Sequence, residues 1–407
     1  MKILQINGYE SPGRRFHGLS ITPILKKYGI ESKHLVWAKD TKDPEVLTFE
    51  GIVTRKVNLI LQLIEEQASL QSMLYRNVPK IIKMPAFQEA DLIHLHIIHS
   101  GYFSISNLSM ITDLKPTLWT LHDPWAMTGR CVYPMGCLGW KKDCGVCPDL
   151  KTPFAMKKDN SRFLFNYKRM AYEKANFNII VASKWMHDMV NASPLFNSKE
   201  IKVHHLPFGI DLEFFSSDFT ANARKRFNIS EDKIVICFRS EDTHFKGYQY
   251  IMDALEKLDT TKPICLLTVG RHNILERFRD KFEIIELGWT NDDVLLRDAL
   301  AACNIFLMPS VAEAFGVMAI EAMACSKPVI VFDGDNSLPE VTFAPEVGIA
   351  VPMRDSNALS YAIKQLIDNP KERLERGNKG RKIAKLHYSQ DMHIKNLVSI
   401  YKETLNK

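Results

Sequence analysis

Strand-sized apolar runs alternate with helix-sized amphipathic stretches along most of this 407-residue chain. That rhythm calls for parallel sheets covered by helices, because consecutive parallel strands need a crossover of a dozen residues or more. In the first half the strand-like runs are Ile3–Ile6, His34–Trp37, Leu92–His96, Thr117–Leu121 and Asn178–Ala182. In the second half they are Ile234–Phe238, Ile264–Val269, Phe282–Glu286, Ile305–Met308 and Pro328–Phe332. Helical spacing predicts a first crossover over Ile21–Tyr28, a longer amphipathic helix over Arg55–Tyr75, and helices over Tyr248–Leu258, Glu313–Cys325 and Ser389–Leu405.

The length suits two domains of roughly 200 residues. His205-Leu-Pro-Phe-Gly-Ile-Asp211 carries the Pro and Gly punctuation of a connector between them. Boundaries of 1–205, 206–385 and a final helical segment 386–407 follow. A hydrophobic share of 46% and a charged share of 25% give either half enough apolar residues for a core. The net charge of +6 is too mild for a nucleic-acid binder and fits an anionic substrate or an anionic membrane surface. The opening Met1–Asn7 reads as a strand and not as a secretory signal, and no apolar run reaches the ~18 residues of a membrane span. The expectation is a cytoplasmic, reducing location. The Arg55–Tyr75 helix, flanked by Arg55, Lys56, Arg76, Lys80 and Lys83, fits either an anionic inner-membrane surface or a plain sheet-covering role.

Two loops after predicted strands concentrate the chemistry. In Pro309-Ser-Val-Ala-Glu-Ala-Phe-Gly-Val-Met-Ala-Ile-Glu321, a strand ends at Met308, Glu313 and Gly316 lie in the loop, and a helix carries Glu321. A helix start at the carboxyl end of a parallel strand offers free N–H groups to a diphosphate. Gly316 allows a close backbone approach. The two carboxylates, eight positions apart, can accept sugar and ribose hydroxyls separately. In Ile236-Cys-Phe-Arg-Ser-Glu-Asp-Thr-His-Phe-Lys-Gly247, Arg239 and Lys246 are placed to neutralise a diphosphate as its charge grows. Loss of either cation would cost about 3–4 kcal/mol of transition-state stabilisation.

Together these stretches resemble the retaining GT-B glycosyltransferases of family GT4, through the Glu313-x7-Glu321 element and its flanks Met308-Pro-Ser and Lys327-Pro-Val329. Leu206–Asp211, Leu267-Thr-Val-Gly270, Leu287-Gly-Trp289, Ser337–Val341 and Gly348–Pro352 support the likeness. It covers nearly the whole chain. It implies an α/β fold of two Rossmann-like domains facing across a deep cleft, an N-terminal acceptor domain and a C-terminal nucleotide-sugar domain. The last helix would cross back to the N-terminal domain. Glu313 would contact donor-sugar hydroxyls and Glu321 the ribose, with Arg239 and Lys246 on the diphosphate. Backbone at Phe315, Gly316 and Val317 would meet sugar and phosphate, Gly270 would line the donor site, and Trp289 would lie near the base. Two departures are the missing glycine in Cys237-Phe238-Arg239 and the serine in Cys325-Ser-Lys-Pro328, neither of which removes a charge.

In the N-terminal half the resemblance places Gly8, in Asn7-Gly-Tyr-Glu-Ser-Pro-Gly13, at the cleft, with Gly18 opening the next helix. Thr120-Leu-His-Asp-Pro-Trp-Ala-Met-Thr-Gly129 resembles a bacterial surface-polysaccharide branch and implies that His122 sits near the donor sugar. His94, His96 and His99 read as structural or cleft-lining. Cys131, Cys137, Cys144 and Cys147 lie in a loop spanning 129–150, whose last pair has zinc-knuckle spacing. A structural zinc, free thiols and disulfides all fit, and no catalytic metal is implied.

The expected activity is metal-independent retaining transfer of a hexose-type sugar from a UDP- or GDP-sugar to a glycan or lipid-linked acceptor. The setting implied by the resemblance is exopolysaccharide, capsule or lipopolysaccharide synthesis. A sugar-nucleotide epimerase or hydrolase, and a silent binding subunit, are the competing classes.

Overall fold

A computed structural model describes residues 1–10, 18–49, 51–151, 154–197 and 200–406. Ser11–Gly13 of the expected glycine-rich loop lie outside them. Contact clustering divides the chain into an N-terminal unit, residues 1–207 with 393–407, and a C-terminal unit, residues 208–392.

The N-terminal unit holds a parallel sheet of β1 (Lys2–Tyr9), β2 (Glu31–Ala38), β3 (Val46–Thr48), β4 (Leu92–Leu95), β5 (Thr117–Leu121), β6 (Asn178–Val181) and β7 (Val203–His205), in the order β3-β2-β1-β4-β5-β6-β7. The C-terminal unit holds β8 (Ile234–Ser240), β9 (Ile264–Gly270), β10 (Glu283–Glu286), β11 (Ile305–Met308), β12 (Val329–Asp333) and β13 (Ile349–Pro352), in the order β10-β9-β8-β11-β12-β13. Every adjacent pair is parallel. Both are Rossmann-like sheets in which strand order reverses beside the first strand of the unit, between β1 and β4 and between β8 and β11. Such switch points leave a crevice at the strands' carboxyl ends.

Central strands are buried on both faces because helices cover each side: all seven residues of β9 and the inner six of β1 are buried. The helix Tyr248–Lys257 shows the matching pattern, burying Ile251, Met252, Ala254 and Leu255 on one face. The final helix, Gln390–Leu405, closes the N-terminal core: Ile394, Leu397, Val398 and Tyr401 pack with Ile3, Leu25, Leu92, Leu118 and Ile180. The chain thereby returns to its first unit for its last residues.

Two helical expectations and one strand change at their ends. The Arg55–Tyr75 helix runs over Ile52–Ala68 instead. It stops because Ser69 turns left-handed (φ 56°) and the Glu65 carboxylate takes the N–H groups of Ser72, Met73 and Leu74 at 2.9, 2.7 and 2.8 Å. The Glu313–Cys325 helix begins only at Val317, because Gly316 at φ 88° breaks the helical path. The first strand runs on through Tyr9, so Gly8 is a strand residue packed at Ser100 and not part of a turn. Among the described residues, no helix is long and apolar enough to cross a membrane.

Candidate active site

In the C-terminal unit the loops leaving β8 and β11 are stitched together at the switch point. Val311 and Ala312 donate their N–H groups to the Phe245 carbonyl at 2.8 and 3.3 Å. Gly247 makes the close approach possible: its φ is 73°, and a Cβ there would lie 1.8 Å from the Pro309 carbonyl oxygen. Across this seam the Lys246 Nζ donates to Glu313 Oε2 at 2.8 Å, with both side chains largely shielded from solvent. The backbone of Glu313 is fixed from the other side. The N–H and hydroxyl of Ser337 donate to its carbonyl at 3.1 and 3.0 Å.

Arg239, the penultimate residue of β8, pairs with Glu241 at 2.9 Å and lays its guanidinium over the Trp289 ring at 4.9 Å. Trp289 is 59% exposed, so most of its surface is open to a flat ligand. Gly270 ends β9 in register with Ser240, next to Arg239. Gly316 caps the helix Val317–Ala324 with Phe315 before it and Val317 as its first residue. The Phe315 ring is buried against Phe208 and Tyr388, at 5.1 and 5.9 Å. Glu321 sits on the same helix with none of its surface accessible. Within this unit Lys246 and Glu313 are therefore brought together, and so are Arg239 and Trp289, while Glu321 is held inside the fold. Glu241 was not singled out from the sequence; it lies between the two cations but nothing in the spacing marks it as the partner of Arg239.

In the N-terminal unit the matching switch point gathers polar residues. A small pocket is lined by His96, His99, Trp119, His122, Asp123 and Trp125, among others. His122 follows β5, and its Nε2 lies 3.0 Å from His96 Nδ1. Asp123 binds His99 Nε2 at 2.9 Å and accepts the Trp125 N–H at 2.8 Å, which starts the short 3-10 turn Pro124–Met127. Burial pushes the Asp123 carboxyl upward, but the His99 charge and hydrogen bond, the Trp125 N–H and the His122 charge outweigh it and hold it below the usual carboxylate range. The turn is braced from below. The buried Lys168 donates to the Trp125 and Thr128 carbonyls at 2.6 and 3.0 Å, and Tyr172 donates to the Ala126 carbonyl at 3.1 Å. Burial lowers the Lys168 pKa well below the usual lysine value. His94 is structural: its two nitrogens are bound to Tyr401 and Thr120 at 2.8 and 2.7 Å.

For the four-cysteine segment, spacing left a structural zinc, free thiols and disulfides open. Cys131, Cys137, Cys144 and Cys147 are free thiols, and among the described residues no group of three or more His, Cys, Asp or Glu side chains is placed to hold a metal ion. Other bonds organise the segment. The buried Arg130 donates to the Asp149 and Phe154 carbonyls, Cys147 Sγ lies 2.9 Å from the Asp149 carbonyl, and Gly139 N–H meets Cys137 Sγ at 3.4 Å. Burial, with neighbouring thiols, pushes Cys131 up to about 11, and burial pushes Cys144 up to about 12.

Two parallel Rossmann-like units of seven and six strands define the α/β GT-B fold. Residues 219–383, which contain Arg239, Lys246, Glu313 and Glu321, match the family model described as Glycosyl transferases group 1. The chain is 26% identical over 235 residues to the uncharacterized glycosyltransferase MJ1607 of Methanocaldococcus jannaschii, covering 55% of this chain and 59% of that one. It is 23% identical over 254 residues to the putative colanic acid biosynthesis glycosyl transferase WcaC of Escherichia coli, covering 60% of each. The matches thus span about 60% of the length of these relatives. Among solved structures, Anabaena Alr3699/HepE in complex with UDP and glucose superposes with a TM-score of 0.68 at 16% identity, over 99% of this chain and 100% of that one.

Proposed function

We propose that this chain is a retaining, metal-independent glycosyltransferase that moves a hexose-type sugar from a nucleotide sugar to a glycan or lipid-linked acceptor in bacterial surface-polysaccharide synthesis. The observation that carries the reading is the contact of Lys246 with Glu313 at the β8/β11 switch point, together with that of Arg239, near the end of β8, with Trp289. A cation, a carboxylate, a free indole face and a glycine-capped helix start together match the needs of a sugar diphosphate. Lys246 and Arg239 meet the developing negative charge of the leaving diphosphate, in the role that a metal plays elsewhere. Glu313 accepts hydrogen bonds from sugar hydroxyls, and the N–H groups after Gly316 meet phosphate. Trp289 receives the base. Binding of the ribose by Glu321 requires the chain above its carboxylate to open, since none of its surface is accessible here.

The N-terminal unit is assigned the acceptor, with Gly8 on β1 and His122 in the pocket near the reacting sugar. The name of WcaC and the UDP and glucose bound by HepE support a nucleotide-sugar donor and a polysaccharide setting. A loose hold on the inner membrane surface is supported by the helix Ile52–Ala68, which leaves Ile52, Val53, Leu59, Ile60 and Leu63 exposed beside Arg55 and Lys56.

The test is a panel of UDP- and GDP-hexoses, each with and without glycan acceptors, read by mass spectrometry. Sugar appearing on an acceptor with its anomeric configuration kept supports the reading. Rapid epimerisation or hydrolysis of donor alone would replace it with the epimerase or hydrolase class. Tight nucleotide binding with no turnover across the panel would leave a binding subunit.

A further inference from the structure

We infer that the helix Pro370–His387 of the C-terminal unit is a docking surface for an anionic lipid bilayer. This goes beyond the reading above, in which the membrane contact is the helix Ile52–Ala68 of the N-terminal unit.

The chain's charge is concentrated in one place. The helix has 18 residues, of which seven are Lys or Arg and two are Glu. It therefore carries +5 of the formal net charge of +6, and the rest of the chain is nearly balanced. The cations are sorted by face. Arg373, Arg376 and Arg381 turn toward the protein. Arg373 donates to the Ile367 carbonyl at 3.3 Å, Arg376 to the Pro345 carbonyl at 2.9 Å, and Arg381 to the Ala324 and Leu212 carbonyls at 2.7 Å each. Gly377, Gly380 and Ala384 are buried on that inner side. A Cβ on Gly377 would lie 2.1 Å from the Ser326 carbonyl oxygen, and one on Gly380 would meet Met323 of the helix Val317–Ala324 at 3.3 Å. The helix is thus clamped to the element that begins at Gly316.

The lysines face the other way. Lys371, Lys379, Lys382 and Lys385 are exposed, and so are Leu374 and Leu386, at 65% each. At helical spacing these six residues fall within an arc of about 140°. Glu372 is engaged by Arg376 at 2.9 Å, and among the described residues no carboxylate pairs with any of the four lysines. Glu375 is the acidic side chain of this outer face. Four unpaired cations on one rigid helix face attract a surface dense in phosphate, and the flexible stems let the ammonium groups reach it. The two leucines decide between a bilayer and a soluble polyanion. A hydrated acidic polymer leaves them in water, whereas the acyl boundary beneath lipid headgroups takes them out of it. On the proposed function, this contact holds the donor unit beside a lipid-linked acceptor.

Co-sedimentation of the full chain with phosphatidylcholine vesicles, with and without phosphatidylglycerol, tests this. The unmutated chain should prefer the anionic vesicles. Lys379→Gln combined with Lys382→Gln and Lys385→Gln should weaken that binding about 100-fold at low salt. Leu374→Ser combined with Leu386→Ser should weaken it about fivefold. All five side chains are exposed, so unchanged thermal melts should accompany both variants. Equal sedimentation of the unmutated chain and the lysine variant, or of the unmutated chain with both vesicles, overturns the inference. An unchanged leucine variant also overturns it, and dextran sulfate binding lost with the lysines would then identify a soluble acidic polymer as the occupant. Ile60→Glu with Leu63→Glu separates the two contacts. If that variant binds unchanged while the lysine variant does not, the N-terminal membrane hold fails and this surface stands; the reverse pattern leaves the N-terminal hold alone.

Discussion

Arg239 is held by one ion pair and one ring, and neither is strong. A surface ion pair contributes about 0–1 kcal/mol and an exposed cation–π contact about 0.5–1 kcal/mol. On the proposed function, the guanidinium would exchange Glu241 for a diphosphate at small cost. Glu241→Gln removes that competition, and donor KM should fall about threefold in steady-state assays. Arg239→Lys keeps the charge but loses the planar fork and the stacking on Trp289, and donor KM should rise about tenfold. Lys246→Ala strips Glu313 of its counter-ion and, on the proposed function, the leaving group of a cation, and kcat should fall roughly 100- to 1,000-fold. The two cations were legible in the sequence because each stands at the end of an apolar run or before a glycine. Their partners were not: Lys246 meets Glu313 67 positions away, and only the order of β8 beside β11 makes them neighbours. The buried state of Glu321 was equally invisible, since the spacing placed it on a helix but not on that helix's inner face.

Among the elements, the ten strand-like runs all fall in strands, because continuous apolar stretches are what a sheet buried on both faces requires. The strands not singled out, β3, β7 and β13, each end a sheet or pair outside the central strands. They are three or four residues long and partly exposed, and runs this short, such as Val46-Leu-Thr48, do not stand out as strands in the sequence. Gly247 is the point of close approach between the loops that follow β8 and β11. Gly247→Ala combines a left-handed backbone with a backbone clash at Pro309, and should destabilise the C-terminal unit by about 2 kcal/mol or more, a melting shift of roughly 5 °C. Gly316→Ala meets only the movable Leu338 side chain and should cost less. Calorimetry on the two variants checks the order. The helix Ile52–Ala68 makes a separate prediction. Replacing Ile60 and Leu63 by Glu should reduce co-sedimentation with anionic lipid vesicles about tenfold while donor KM stays constant. Equal sedimentation of the variant would remove the membrane role and leave a bare surface helix.

At the scale of the whole molecule, the last helix returns the chain to its first unit, and two buried histidines lie along that return. Burial, aided by the charge of His393, holds His94 down to about 3; burial holds His393 down to about 4, although its Nδ1–H bond to the Pro207 carbonyl opposes the shift. Both are neutral in the folded chain and take up protons near pH 6.5 when unfolded. The unfolded state therefore binds more protons between those values, so stability is full above about pH 6.5 and falls as pH drops toward 4. Two such groups lower stability by on the order of 3–4 kcal/mol between pH 7 and pH 5. Urea melts should report this slope, and His94→Gln should flatten it by about half. The division into two sheets was legible from the repeated alternation and the Pro-Gly connector. Cysteine spacing alone carried no information on Arg130, whose bonds to the Asp149 and Phe154 carbonyls organise that segment.

The most direct test of the central claim is calorimetric titration of the full chain, and of its Lys246→Ala and Arg239→Ala variants, with UDP- and GDP-hexoses. The account predicts that one nucleotide class binds the unmutated chain and that each variant weakens it by about tenfold or more. Equal affinity in all three proteins, or no binding of either class, would contradict it.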